Sequence, residues 1–213
     1  MVSKIQYGKF DHFYDHYNKE LFQSTLSECM ITTYNRRKET NGFFSGKSWK
    51  NKETKGSYIH EINLNPIYFD KDNKDWHSTL VHEMCHLWQQ DHGSPSRGRY
   101  HNKQFAEKMI AIGLMPSDTG SPGGKKTGQS MSHYIIPDGL FINAFDRLAE
   151  NEINYMSSFA VDSNFLELTD IGTETKKVVS KLKYSCSCAT NIWGKPGLAV
   201  ICGLCGGKFV SEL

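Results

Sequence analysis

Asp75-Trp76-His77-Ser78-Thr79-Leu80-Val81-His82-Glu83-Met84-Cys85-His86-Leu87-Trp88-Gln89-Gln90-Asp91-His92 is the stretch on which the reading of this chain turns. Its apolar residues Trp76, Leu80, Val81, Met84, Leu87 and Trp88 recur at helical spacing, which predicts one amphipathic helix over 73–92. Asp72 is placed to cap its start, Asp75 puts a negative charge in the first turn, and Gly93 stands where a helix stops. On such a helix His82 and His86 lie one turn apart on the same face, so their ring nitrogens can converge on one metal ion. Glu83 is rotated by about 100° from His82. It is a poor further ligand but is well placed to act on a water held by the metal. Cys85 lies on another side of the helix and reads as a packed thiol.

A catalytic zinc site of this kind needs a third protein ligand. Three residues compete. His92 requires the chain to turn sharply after His86, but Gln89 stands where a glycine would make that turn. A straight helix carries His92 about 9 Å along the axis from His86. Glu107 lies on the next helix, which starts only after His101. His101 follows a loop containing Pro95 and Gly98, so it can fold back onto the metal, and it is the preferred third ligand.

Outward from this centre, residues 10–26 read as a helix carrying Phe10, Phe13, Tyr14, Tyr17, Leu21 and Leu26. Strands are expected near 29–36, 41–49 and 57–65. The last is the clearest, alternating from Tyr58 until Pro66 ends it. A second helix spans 103–112, with Asn102 as its cap and Gly113 as its stop. Residues 115–130 read as a loop rich in Gly, Ser, Pro and Thr, and a further helix fits 141–157. The segment Gly123-Gly124-Lys125-Lys126-Thr127 lacks the preceding strand and the spacing of a phosphate-binding loop.

The 213 residues suit one compact domain and a small appendage. With 25 Lys+Arg against 23 Asp+Glu and 38% hydrophobic residues, wholesale disorder is not expected. No apolar run approaches the roughly 18 residues that span a bilayer, and the N-terminus has no secretory pattern. A cytoplasmic protein, or one associated with the nucleoid or nucleus, is the expectation, with cysteines reduced or metal-bound. Four of the six cysteines crowd the end of the chain as Cys186-Ser187-Cys188 and Cys202-Gly203-Leu204-Cys205. Two close pairs of thiolates suit a closed tetrahedral zinc site, although the first pair is one residue shorter than the usual knuckle. A segment this small needs such a metal to fold, and Trp193 with Leu198–Ile201 argues that it does fold. The expected organisation is a domain over 1–160, a linker over 161–180 and a metal-held unit over 181–213. Residues 36–55 mix seven Lys/Arg with Phe43, Phe44 and Trp49, a composition that suits single-stranded nucleic acid.

His82-Glu83-Met84-Cys85-His86 followed by Tyr100-His101-Asn102-Lys103-Gln104-Phe105 resembles the SprT-like zinc metalloprotease family, to which Spartan-related proteins belong. Glu61-Ile62-Asn63-Leu64-Asn65-Pro66 and Ser78-Thr79-Leu80-Val81 extend the likeness, and the tail looks like the zinc ribbon that ends many such proteins. The resemblance implies an α+β fold: a small zincin, helices packed on a short sheet, with a C-terminal ribbon. It implies zinc at His82, His86 and His101 with Glu83 catalytic, and a second, structural zinc at Cys186, Cys188, Cys202 and Cys205. The expected activity is peptide hydrolysis, with protein substrates near or on DNA. The alternative is an idle zinc-stabilised DNA-binding or adaptor module. His133, Tyr134, Arg97 and Arg99 are the candidate oxyanion donors, Tyr134 being preferred. A monomer with no membrane association is expected.

Overall fold

The structure is a computed structural model that describes residues 2–34, 40–54, 56–69, 72–149, 152–153 and 181–211. The chain divides into two compact units, residues 1–162 and 163–213, and each is described by itself. The expected linker 161–180 lies outside the described residues.

The first unit opens with α1 (Val2–Phe22). It ends four residues earlier than the apolar spacing predicts because Gln23 and Ser24 both adopt positive φ. The Ser24 N–H then turns back to the Asn18 carbonyl at 2.9 Å. Leu26 still reaches the core, its N–H held by Asn18 Oδ1 at 3.2 Å. Three strands follow: β1 (Cys29–Thr33), β2 (Gly42–Lys50) and β3 (Tyr58–Leu64). They form a sheet in the order β1-β3-β2, with β1 parallel and β2 antiparallel to β3. β2 is therefore an edge strand. Its register shifts between Ser45 and Trp49, where Lys47 takes a positive φ and its N–H reaches His60 Nδ1 at 3.0 Å. Such a bulge bends the strand and re-aims its side chains.

The helix α2 (Asn73–His92) has the limits that the periodicity predicts, with Asp72 Oδ1 accepting the Lys74 N–H at 2.9 Å. It is buried on more than one side. Trp76, Leu80, Val81, Met84 and Leu87 pack into the core, together with Phe10, Phe13 and Tyr17 of α1 and Ile62 and Leu64 of β3. A 3-10 turn at Arg97–Arg99 leads to α3 (Lys103–Ala111), capped by Asn102, whose Oδ1 accepts the Phe105 N–H at 3.1 Å. Gly113 then takes φ +92°, and an added Cβ would meet the backbone N atoms of Leu140 and Phe141 at 2.8 Å. That close approach requires glycine.

Two expectations need correction. Part of the stretch read as loop is a hairpin: β4 (Leu114–Ser117) pairs with β5 (Ser132–Ile135), which lies just beyond it. Pro116 hid the first strand, since proline in a strand normally argues against one. In the helix predicted over 141–157, residues 150–151 and 154–157 lie outside the described residues, which hold α4 (Leu140–Phe145). It unwinds in a turn where the Arg147 and Leu148 N–H groups reach back three residues, and residues 152–153 are helical again. Glu152 Oε2 accepts the Ala149 N–H at 3.3 Å, a start signal in the middle of the predicted helix.

The second unit holds β6 (Leu182–Ser185), β7 (Asn191–Gly194) and β8 (Val210–Ser211) in the order β7-β6-β8. Its buried anchor is Tyr184, whose hydroxyl donates to the Lys195 carbonyl at 2.7 Å and accepts the Leu198 N–H at 3.1 Å. Trp193 and Ile201, read from the sequence as signs that this segment folds, are exposed. Among the described residues of the unit, Tyr184, Cys186 and Cys202 are buried.

Candidate active site

α2 supplies His82, Glu83 and His86, and the residue before the cap of α3 supplies His101. One ring nitrogen from each of the three histidines lies within 4.8 Å of the others. His86 Nε2 and His101 Nε2 approach to 3.1 Å. The rivals lie elsewhere: His92 turns its Nε2 to the Thr25 carbonyl at 2.8 Å, and Glu107 is exposed beside Lys103. Phe105 packs against all three histidines, with ring centroids 4.2 Å from His86, 4.8 Å from His101 and 5.2 Å from His82. This apolar wall fixes the rings from behind.

Burial pushes the titration of every imidazole here downward. His82 falls well below its ordinary value and His86 drops to about 3, each pushed further by the neighbouring histidines. Burial lowers His101 as well, and the Gly128 carbonyl, which accepts its Nδ1–H at 3.3 Å, works against that shift. Each histidine is therefore neutral at pH 7 and offers a lone pair. Three neutral imidazoles converging against an apolar wall are the donor set that zinc takes.

Glu83 is buried, and burial raises its carboxyl to about 8. Two groups work against that rise: the backbone N–H of Phe44, which donates to it, and the Arg99 guanidinium. The side chain of Phe44 stacks between His60 and His86, at 5.6 Å and 6.2 Å, so β2 touches both the carboxylate and a candidate ligand. Gly42 completes the approach. A Cβ there would stand 2.9 Å from the Asn63 carbonyl oxygen and 3.4 Å from Glu83 Cγ. These groups border a cleft of about 530 Å³ lined by residues of β2, α2, β5 with His133, and the segment carrying Arg99 and His101.

His133 and Arg99 line the cleft, whereas Tyr134 does not. Adjacent strand residues face opposite ways, so placing His133 inward turns Tyr134 outward. The preference for Tyr134 is thus corrected; β5, which decides between the two, was not recognisable in the sequence.

In the second unit the Sγ atoms of Cys186, Cys188, Cys202 and Cys205 lie within 4.8 Å of one another. Cys188 falls to about 6, through hydrogen bonds from Thr190 and then Cys186, while Cys186 rises to about 11. Four sulfurs at this spacing suit a tetrahedral zinc, which deprotonates its thiols.

A three-histidine cluster that could hold a metal and a buried carboxylate share one cleft of a small α+β unit, the arrangement of a metallopeptidase-like domain. The chain belongs to the SprT-like family, which matches residues 10–125, more than half of its length. Among curated proteins nothing matches. No helix among the described residues is long and apolar enough to cross a membrane.

Proposed function

We propose that this chain is a zinc-dependent metallopeptidase of SprT-like type. The observation that carries the reading is the placement of Glu83 beside the His82, His86 and His101 cluster in an open cleft. Zinc at the three histidines supplies Lewis acidity toward a peptide carbonyl and a more acidic water. Glu83 takes a proton from the attacking water on its carboxylate and passes it to the leaving amine. The Phe44 N–H and Arg99 favour the ionised carboxylate that the first of these steps needs. An extended substrate fits along β2, whose outer edge has no strand partner among the described residues. Four thiolates of the second unit hold a structural zinc in the same reading.

Proteins on or near DNA are the proposed substrates, and the proposed location is cytoplasmic, nucleoid-associated or nuclear. The family supports this, and so does Trp193, exposed on β7 directly opposite Lys183 on β6, a pairing that suits a stacked base beside a phosphate. The basic run Arg36–Lys38 lies outside the described residues. The chain is proposed to act as a monomer.

The test is zinc content by elemental analysis of wild type, His101→Ala and Cys202→Ser, followed by protease assays with and without single-stranded DNA. Two zincs in the wild type and one in each variant are expected. Glu83→Gln should keep both and cleave nothing. Cleavage that survives Glu83→Gln would overturn the reading. A function that survives while no cleavage is ever found would favour the adaptor alternative.

A further inference from the structure

His82 presents Nδ1, not only Nε2, to a specific partner. Its Nδ1 lies 3.2 Å from His133 Nδ1. His133 Nε2 in turn lies 2.8 Å from Ser78 Oγ, and Ser78 Oγ donates to the Asp75 carbonyl at 2.8 Å. The polarity of this chain is set at its far end. A carbonyl oxygen only accepts, so the single Ser78 hydroxyl proton is committed to Asp75. Ser78 Oγ must then accept from His133, which puts the His133 proton on Nε2 and leaves Nδ1 as an acceptor. The acceptor takes the His82 Nδ1–H. His82 is left with a bare Nε2 lone pair.

His101 reaches the same state in one step, through the Gly128 carbonyl. Among the described residues His82 is hydrogen-bonded to His133 instead of a carbonyl, and the relay runs through β5 and its own helix. Both nitrogens of His133 are consumed, so neither is free to stabilise an oxyanion or to ligate a metal. We infer that His133 is a positioning residue: with Ser78 it selects the His82 tautomer whose Nε2 faces the metal and fixes the ring's orientation. The inference rests on the metal-site reading above and adds to it a group outside both His-Glu-x-x-His and the third-ligand segment. Partners of this kind behind a ligating histidine are worth ten- to hundredfold in metal affinity.

The test uses the full chain loaded with zinc. Long-range proton–nitrogen spectra of the wild type should show His133 neutral, with its proton on Nε2 and Nδ1 unprotonated. Zinc affinity at the histidine site, measured by chelator competition, should fall ten- to hundredfold in His133→Leu. His133→Gln, whose amide offers an acceptor toward His82 and a donor toward Ser78, should recover most of it. Zinc held by the cysteines of the second unit should be unchanged, and cooperative urea unfolding of the first unit serves as its folding control. His133 carrying its proton on Nδ1, or equal zinc affinity in wild type and His133→Leu, would overturn the inference and leave the metallopeptidase reading standing. A wild type with no zinc at the histidines would instead sink that reading, and the His133 tautomer in the same spectra would still decide this one.

Discussion

Gln89 Nε2 donates to Asn102 Oδ1 across 2.8 Å, joining the last turn of α2 to the cap of α3. The same amide reaches Gln104 Oε1 at 3.0 Å, which also accepts the Ser94 N–H at 2.8 Å. Asn102 closes the loop by donating to the Ser94 carbonyl and Ser96 Oγ, both at 3.0 Å. His101 directly precedes Asn102, so its position is set by a half-buried amide network anchored at Gln89, three residues beyond His86. Replacing Gln89 by Leu removes the shared donor, while Asn102 Oδ1 keeps the Phe105 N–H and Gln104 Oε1 keeps the Ser94 N–H. Each of the two lost hydrogen bonds is worth about 0.5–1.5 kcal/mol. The expected outcome is a loss of about 1–3 kcal/mol in urea unfolding and weaker metal binding at the histidines. Unchanged zinc affinity in Gln89→Leu would show that the loop holds His101 without this bridge.

Phe105 makes a second prediction. Its ring touches all three candidate ligands and is fully buried. Phe105→Ala should cost about 3–5 kcal/mol, as for other large aromatic truncations. It should also open a hole behind the imidazoles and let them rotate. Phe105→Leu keeps apolar bulk and should restore most of the stability but less of the metal affinity. The two effects separate when thermal unfolding of the metal-free protein is set beside chelator competition. Parallel recovery of both would reduce Phe105 to core filler.

The limits of α2, its cap at Asp72 and the cap at Asn102 were legible because each rests on local chemistry: helical spacing and a side chain within a turn of the orphan amides it serves. His82, Glu83 and His86 follow from that helix alone. Choosing His101 over His92 was legible from Gln89, which denies the chain a turn, but the use of Gln89 as a clamp was not. His133 was visible only as a nearby candidate, because β5 owes its existence to pairing with a strand that contains Pro116. The end of α4 was misplaced for a related reason. Its apolar face continues past Phe145, so periodicity does not report the break that Glu152 marks by accepting the Ala149 N–H.

Glu83 gives the metal-free protein a distinctive pH dependence. Its folded carboxyl is raised to about 8, chiefly by burial, above an ordinary value of 4.5. The folded state therefore binds the proton more tightly than the unfolded chain. Stability from this group is complete below pH 4.5 and is lost as pH rises toward 8. The loss reaches about 3 kcal/mol by pH 7. Glu83→Gln carries no charge and should be more stable than wild type by about 3 kcal/mol at pH 7 and about 4 kcal/mol at pH 8 in chelator. The two should converge below pH 4.5. Urea unfolding at pH 4 and pH 8 measures both ends, and a constant gap across that range would contradict burial as the cause.

His77 acts with the opposite sign. It is fully buried between Trp76, Phe13 and Phe145, with Nδ1 2.8 Å from the Tyr17 hydroxyl. Its Nε2 has no partner, alone among the buried side-chain polar atoms described. Burial, followed by repulsion from His16, holds its titration well below 6.5, so the ring stays neutral in the folded state. The unfolded chain takes up a proton near pH 6.5 and the folded chain does not. Stability from His77 is thus complete above pH 6.5 and drains as pH falls, by about 1.4 kcal/mol per unit until the folded value is reached. His82, His86 and His133 add to the same slope when no metal is bound. Replacing His77 and Tyr17 together by Phe removes one proton from that uptake without stranding the tyrosine hydroxyl. Between pH 6 and pH 5, in chelator, the unfolding free energy of the double variant should fall by about 1.4 kcal/mol less than that of wild type. Equal slopes would mean that the His77 ring is protonated inside the fold, with its Nε2 bonded to a group that the static geometry does not bring into reach.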